Sequence, residues 1–266
     1  MDRARPFGDQ LRDWRQRRHL SQLDLAAQVE ISTRHLSFVE TGRSQPSRAM
    51  VLRLAEELNV PLRERNALLV AAGYAPMYAS RPLSHPSMSA ARAAVDLILN
   101  GHEPYPASLV DRHWTLVASN RAVGPLLGGV DPALLTPPVN VLRLTLHPNG
   151  LAPRIENLEQ WRAHILARVA RDLELTADAT LAELLNELRS YSPNGHDPAV
   201  DKADAHFAGV VVPMKLRTDA GVLSMFSTTT VFGTAVEVTL SELVLEAFYP
   251  ADEPTAEALR ALAAAR

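Results

Sequence analysis

From Phe7 to about Ala72 the apolar residues recur at three- and four-residue steps, the spacing of amphipathic helices, with polar caps between the runs. Phe7, Leu11 and Trp14 make the first stripe. Ser21 caps a second segment carrying Leu23, Leu25, Ala26 and Val29. Ser32 caps a third with Leu36 and Val39, which Thr41-Gly42 stops. Ser47 opens a fourth (Met50, Val51, Leu54, Ala55, Leu58), and Pro61 begins a fifth (Ala67, Leu68, Leu69) that ends at Gly73. The pattern predicts a compact all-α domain of five helices over residues 1–73. Residues 74–90, with Pro76, Pro82 and Pro86, read as a linker.

Beyond the linker the period changes. A helix over Ala90 to Leu99 is followed by a short hairpin, Ser108 to Asp111 and Trp114 to Ala118 about a turn at Arg112-His113, after which Asn120 is placed to cap a helix. Helical spacing returns between Val139 and Tyr191, in Leu158, Trp161, Ile165, Leu166 and Val169 and again in Leu181, Leu184, Leu185 and Leu188. Three runs of β-formers then follow, Val210 to Leu216, Gly221 to Phe232 and Val236 to Tyr249, a predicted antiparallel meander. Two early strands, a helical middle and three late strands predict an α+β domain over 91–250 with an antiparallel sheet of about five strands. The tail, 251–266, reads as helical.

A length of 266 residues suits two such domains. The net charge of −3 taken alone argues against a nucleic-acid partner. Residues 1–80, however, hold twelve arginines against nine acidic residues, +3, which leaves −6 for the remainder. A mildly basic head precedes an acidic body. With no cysteine, a disulfide framework, a thiolate zinc site, an iron–sulfur cluster and a cysteine nucleophile are all excluded. The chain starts without an apolar signal core and has no run of about 18 apolar residues, so a cytoplasmic protein off the membrane is expected. A His-Glu-x-x-His pair, a phosphate loop, a dinucleotide fingerprint and a Gly-x-Ser-x-Gly elbow are all missing, so we expect no enzyme, no catalytic residue and no cofactor. His196, Asp197, Asp201, Asp204 and His206 are metal-capable but lack a fixed ligand spacing, and no metal site is expected there.

The segment from Gln22 to Glu40 has the geometry that two closely crossing helices require. Ala26 supplies the small contact residue, Val29 and Ile31 flank the turn, and Leu36 and Val39 pin the second helix from behind. Ser32, Thr33, Arg34, Ser37 and Phe38 are left on the free face. Glu30 occupies a turn position that usually holds Gly at positive φ, at a cost of about 1 kcal/mol. Ser21-Gln22-x-x-Leu25-Ala26, Ile31-Ser32-x-x-x-Leu36-Ser37-x-x-Glu40-x-Gly42-Arg43 and Pro46-Ser47 together resemble the lambda-repressor-like XRE family of helix-turn-helix DNA-binding domains. The resemblance implies that Gln22 and the start of its helix hold phosphate. Ser32, Thr33, Arg34 and Ser37 then approach base edges or flanking backbone, and Arg43 touches the next phosphates. Arg34 is the expected base reader, since a bidentate arginine–guanine pair discriminates by about 1–3 kcal/mol. His35 and Phe38 could face DNA or pack on their own domain, and Arg12, Arg15, Arg17 and Arg18 could meet phosphates or form a solvated face. Two copies would double the modest positive charge, so a homodimer on a two-part double-stranded operator is expected.

The second domain's order of elements resembles a PAS-like sensor. The run Val110 to Ala122, with Asn140-Val-Leu-Arg and Phe226-Ser-Thr-Thr-Thr-Val-Phe-Gly, is similar to the MmyB-like ligand-binding domain found behind XRE domains in bacterial regulators. The resemblance implies a buried apolar pocket, occupied in some relatives by a fatty acid; periodicity itself shows only that apolar faces exist to line one. Candidate liners are Trp114, Leu116, Ala118, Asn120, Leu142, Trp161, Ile165, Val169, Met225 and Phe226. Arg143, His147 and Arg217 are available to an acyl carboxylate. The expectation is a transcriptional regulator that binds a small apolar ligand. The alternative is a regulator whose second domain only dimerises or binds a partner protein.

Overall fold

The computed structural model describes residues 5–192, 211–232 and 237–265. Its contacts divide the chain into two compact units. One is Met1–Pro82 with Glu174–Thr176 and Thr234–Ser241; the other is Leu83–Leu173, Ala177–Gly233 and Glu242–Arg266.

The first unit has the five expected helices: α1 (Phe7–Arg17), α2 (Gln22–Gln28), α3 (Thr33–Glu40), α4 (Arg48–Glu57) and α5 (Leu62–Ala71). Their starts follow from local chemistry. Ser21 accepts from the Asp24 amide and Asp24 returns the bond in a capping box, while Ser32 and Ser47 cap α3 and α4 through the His35 and Met50 amides. The turn from α2 to α3 passes through Glu30 at φ 53°, as its position in the motif requires, and the Ile31 amide closes back on the Ala26 carbonyl at 2.9 Å. Leu11, Leu25, Leu36, Leu54, Leu58 and Leu69 are fully buried in one core. Leu23 departs from its expected place in the α2 stripe: it is 65% exposed, because Leu25 and Ala26 already occupy the inward face.

A buried ion pair crosses this core. Arg15 on α1 grips the Glu40 carboxylate with Nε at 2.6 Å and Nη2 at 3.0 Å, and Gln22 Nε2 donates to the same group at 2.8 Å. A Cβ on Gly8 would collide with the Glu40 carbonyl, so α1 meets the end of α3 backbone to backbone. Arg18 donates to the Leu58 carbonyl at 2.9 Å and lies with Arg17 against the Trp14 ring. Arg15 and Arg18 are therefore structural parts of the bundle rather than a solvated or phosphate-facing row.

The second unit is an antiparallel sheet with helices against it. Helix α6 (Ser89–Gly101) precedes the hairpin β1 (Ala107–Val110) and β2 (Leu116–Ser119). Helices α7 (Val141–Leu146), α8 (Leu158–Thr176) and α9 (Ala179–Ser190) lead on to β3 (Met214–Thr218) and β4 (Gly221–Val231). After the short α10 (Val238–Ser241) come β5 (Val244–Pro250) and α11 (Glu253–Ala264). The strand order is β2-β1-β5-β4-β3, all antiparallel, the order of a PAS-like sheet. The late meander holds and closes on the early hairpin through β1–β5 pairing.

Three local expectations change. The run from Val236 is not strand throughout, since α10 occupies Val238–Ser241 and pairing starts only at Val244. Trp114 is outside β2, at φ 65°, because the Asp111 carboxylate accepts from the His113 and Thr115 amides at 2.8 Å and widens the turn. Asn120 does not cap the following 3-10 turn. Its buried amide accepts from Ala107 N and donates to the Leu99 and Tyr105 carbonyls, tying α6 to the hairpin.

Removing one member of a buried pair leaves an uncompensated charge. Glu40→Ala should therefore cost about 3–5 kcal/mol in urea unfolding of the full chain. Burial alone would raise the Glu40 pKa, but hydrogen bonds from Arg15 and Gln22 outweigh it and hold the carboxyl below its ordinary value. The stabilisation is thus complete above the ordinary carboxylate range and is lost as pH falls through the depressed folded value. Glu40→Ala should flatten that acid limb; an unchanged acid limb would contradict the pair's role.

Candidate functional site

Two surfaces carry chemistry. The first is the free side of α3. Ser32 and Arg34 are exposed, and Thr33, His35, Ser37 and Phe38 are half-buried, while Leu36 and Val39 point into the bundle. The Arg34 guanidinium lies 5.3 Å from the Phe38 ring centroid and that of Arg43 lies 6.0 Å from it, so the ring holds together two exposed cations from the helix and the loop that follows. Gly42 at φ 71° makes that loop possible. Gln22 stands at the start of α2 with one N–H of its amide on Glu40, which leaves the second N–H, the oxygen and the nearby backbone for outward chemistry. This is the shape of a helix-turn-helix whose second helix presents short polar side chains and one arginine.

The second is a cavity of about 370 Å³ in the sensor-like unit, within the range of small-molecule sites. Six of the expected liners border it: Trp114, Leu116, Leu142, Trp161, Ile165 and Met225. Five expected residues do not. Val169 is one step past the inward stripe of α8 and packs in the filled core. Phe226 points to the opposite face of β4 from Met225 and Ser227, and stacks on Tyr249 with centroids 5.6 Å apart. Ala118 shares a strand face with Leu116 but extends only a methyl group. Asn120 is consumed by backbone bonds, and Arg143 turns outward to a two-toothed pair with Glu187 at 2.8 and 2.7 Å. His147 and Arg217 are also elsewhere, His147 against the Tyr191 ring and Arg217 on the Pro153 carbonyl at 2.6 Å.

The polar part of the wall comes from residues that the periodicity argument passed over. Trp161, His164, Ile165 and Arg168 fall at i, i+3, i+4 and i+7 on α8 and all border the cavity. Glu246 and Phe248 face it from β5, and Thr145 and Ser227 add hydroxyls. Arg168 binds Glu246 through both terminal nitrogens, Nη1 at 3.0 Å, and also donates to the Thr229 hydroxyl at 2.6 Å. The Trp114 ring lies 4.5 Å over the same guanidinium. His164 stacks on Trp161 at 5.4 Å, and burial, with Arg168 nearby, keeps its pKa below the ordinary imidazole value. The signal available in the sequence was an arginine continuing an apolar stripe and a glutamate inside an alternating strand.

The segment holding His196, Asp197, Asp201, Asp204 and His206 lies outside the described residues. Among the described residues no group of three or more His, Asp or Glu is arranged to hold a metal, and no helix is long and apolar enough to cross a membrane.

A helix-turn-helix unit joined to a PAS-like unit with an apolar cavity is the build of a transcription regulator with a ligand-binding domain. The comparison with protein families agrees: residues 6–68 match a helix-turn-helix domain, and residues 91–262 match the MmyB-like transcription regulator ligand binding domain. The chain belongs to that MmyB-like family of regulators. No curated protein matches it.

A real void tolerates added bulk that a filled core does not. Ile165→Phe, beside the cavity, should change unfolding free energy by less than about 1 kcal/mol, whereas Val169→Phe, one turn on, should cost about 1–3 kcal/mol. Equal losses in urea titrations would argue that the cavity is closed in solution.

Proposed function

We propose that the chain is a sequence-specific DNA-binding regulator whose affinity for its operator is set by a small apolar molecule, of the acyl-chain class, held in the cavity of the second domain. The observation that carries the reading is the apolar cavity itself, inside a domain of the MmyB-like family and on the same chain as a helix-turn-helix. A module that only dimerises would gain from filling that space, since voids forfeit packing energy. The chain is read as a non-enzymatic regulator acting in the cytoplasm.

On the DNA side, Arg34 reads a base edge in the major groove, while Ser32, Thr33 and Ser37 touch neighbouring edges or backbone. Gln22 and Arg43 meet phosphates on either side, and His35 and Phe38 complete the contact face. Two copies bind two half-sites one helical turn apart, which doubles the +3 of each head. The ligand acts by linkage: it shifts DNA affinity only to the extent that it binds the DNA-competent and incompetent arrangements differently.

The test is an operator selected from random duplexes with the purified full chain, then titrated with protein before and after removal of bound apolar molecules by a hydrophobic resin. The expected result is a 5-fold or larger change in Kd on stripping, on the order of common coupling energies. Arg34→Ala should lose about ten-fold or more of its preference for that operator with unfolding unchanged. Identical affinities with and without ligand would remove the sensor reading, and an unchanged preference in Arg34→Ala would remove Arg34 as the reader.

A further inference from the structure

Taking the cavity as the ligand site proposed above, the geometry points to an uncharged amphiphile as its occupant: an apolar chain ending in a neutral hydrogen-bonding group, such as an alcohol or an ester, in preference to a free carboxylate. The argument is one of charge balance. Of the side chains bordering the cavity, Arg168 and Glu246 are the charged ones, and each is the other's partner through two contacts. Thr229 joins them both, accepting from Arg168 and donating to Glu246 at 3.1 Å, and the half-buried Asp172, one turn on from Arg168 and bonded to Trp114, brings a second carboxylate to the same arginine. The Trp114 face covers the guanidinium.

An acyl carboxylate brought here would leave a net negative charge in a wall that is otherwise apolar, at short range from Glu246, and such a buried charge is costly unless a cation pairs with it. Among the described residues no second arginine or lysine borders the cavity. Burial and the nearby Arg168 hold the His164 pKa below the ordinary imidazole value, which disfavours its charged form, and Arg143, His147 and Arg217 do not border the cavity. A neutral head group meets no such penalty. Thr145, Ser227 and His164 offer it donors and acceptors, and the apolar wall takes the chain at about 0.8 kcal/mol per buried methylene.

Trp114 and Trp161 both border the cavity, so tryptophan emission of the resin-stripped full chain reports its filling. Decan-1-ol, methyl decanoate and decanoate share a chain and differ in head charge at pH 8. The expected result is saturable quenching by the alcohol and the ester at least ten-fold tighter than by the acid. Decanoate binding as tightly as the neutral probes, or tighter, would overturn the charge argument while leaving the cavity as a ligand site. Failure of all three to bind would overturn the ligand-site reading and this inference with it. Glu246→Gln removes the carboxylate that Arg168 grips and lowers the negative charge of the wall; it should raise decanoate affinity ten-fold or more and erase the preference. A folded Glu246→Gln protein that still rejects decanoate would contradict the account. If that variant does not fold, the wild-type probe series decides the question by itself.

Discussion

The Arg168–Glu246 pair is the constraint on which the second domain is organised. It ties α8 to β5 across the cavity, with Thr229 of β4 as a third member and Trp114 laid over the guanidinium. Two ionised groups in an apolar wall are tolerable only when they neutralise each other and keep their hydrogen bonds, so their geometry fixes where helix and sheet can stand. The strained backbone of Trp114 has the same origin in packing. A bulky residue at φ 65° is held there by a turn built on Asp111 and by the stacking of its ring on a cation. Trp161 and Ile165 of α8 border the void beside them, while Val169, one turn on, is fully buried away from it.

The first domain is organised on a different pair with a similar logic. Arg15 and Glu40 join α1 to the end of α3, and Gln22 ties the start of α2 to the same carboxylate. The helix that presents Arg34 is thereby held at both of its neighbours. Its outward face stays small and polar, and Phe38 gathers Arg34 and Arg43 into one exposed positive patch. The negative total charge of the chain hides this, because acidic residues are spread evenly along the chain while the arginines are denser in the first domain.

The helix-turn-helix was legible in the sequence because its determinants are local. Ser21, Ser32 and Ser47 act within three residues of themselves, and the Glu30 turn is fixed by its own backbone. The sheet was legible as strands but not as boundaries: α10 and the Trp114 turn depend on contacts that alternation does not encode. The cavity was half legible. Periodicity showed that apolar faces exist and the family resemblance pointed to residues such as Leu142 and Met225 on them, yet a void is defined by what fails to fill it, and that is a tertiary property. Polar positions fared worst. Arg143, beside the apolar Leu142 and Leu144, has a salt-bridge partner on the outer side, whereas Arg168 has its partner inside; only the neighbouring strand distinguishes them. Asn120 was read as a cap because it precedes a helical run, but unpaired backbone groups of Ala107, Leu99 and Tyr105 claim its amide first.

The most direct measurement is native mass spectrometry of the full chain as purified, compared with the same sample denatured. The account requires a complex of two chains carrying one small molecule each, with the added mass lost on denaturation to leave the 29.1 kDa polypeptide. A chain that shows the bare polypeptide mass under both conditions would contradict it.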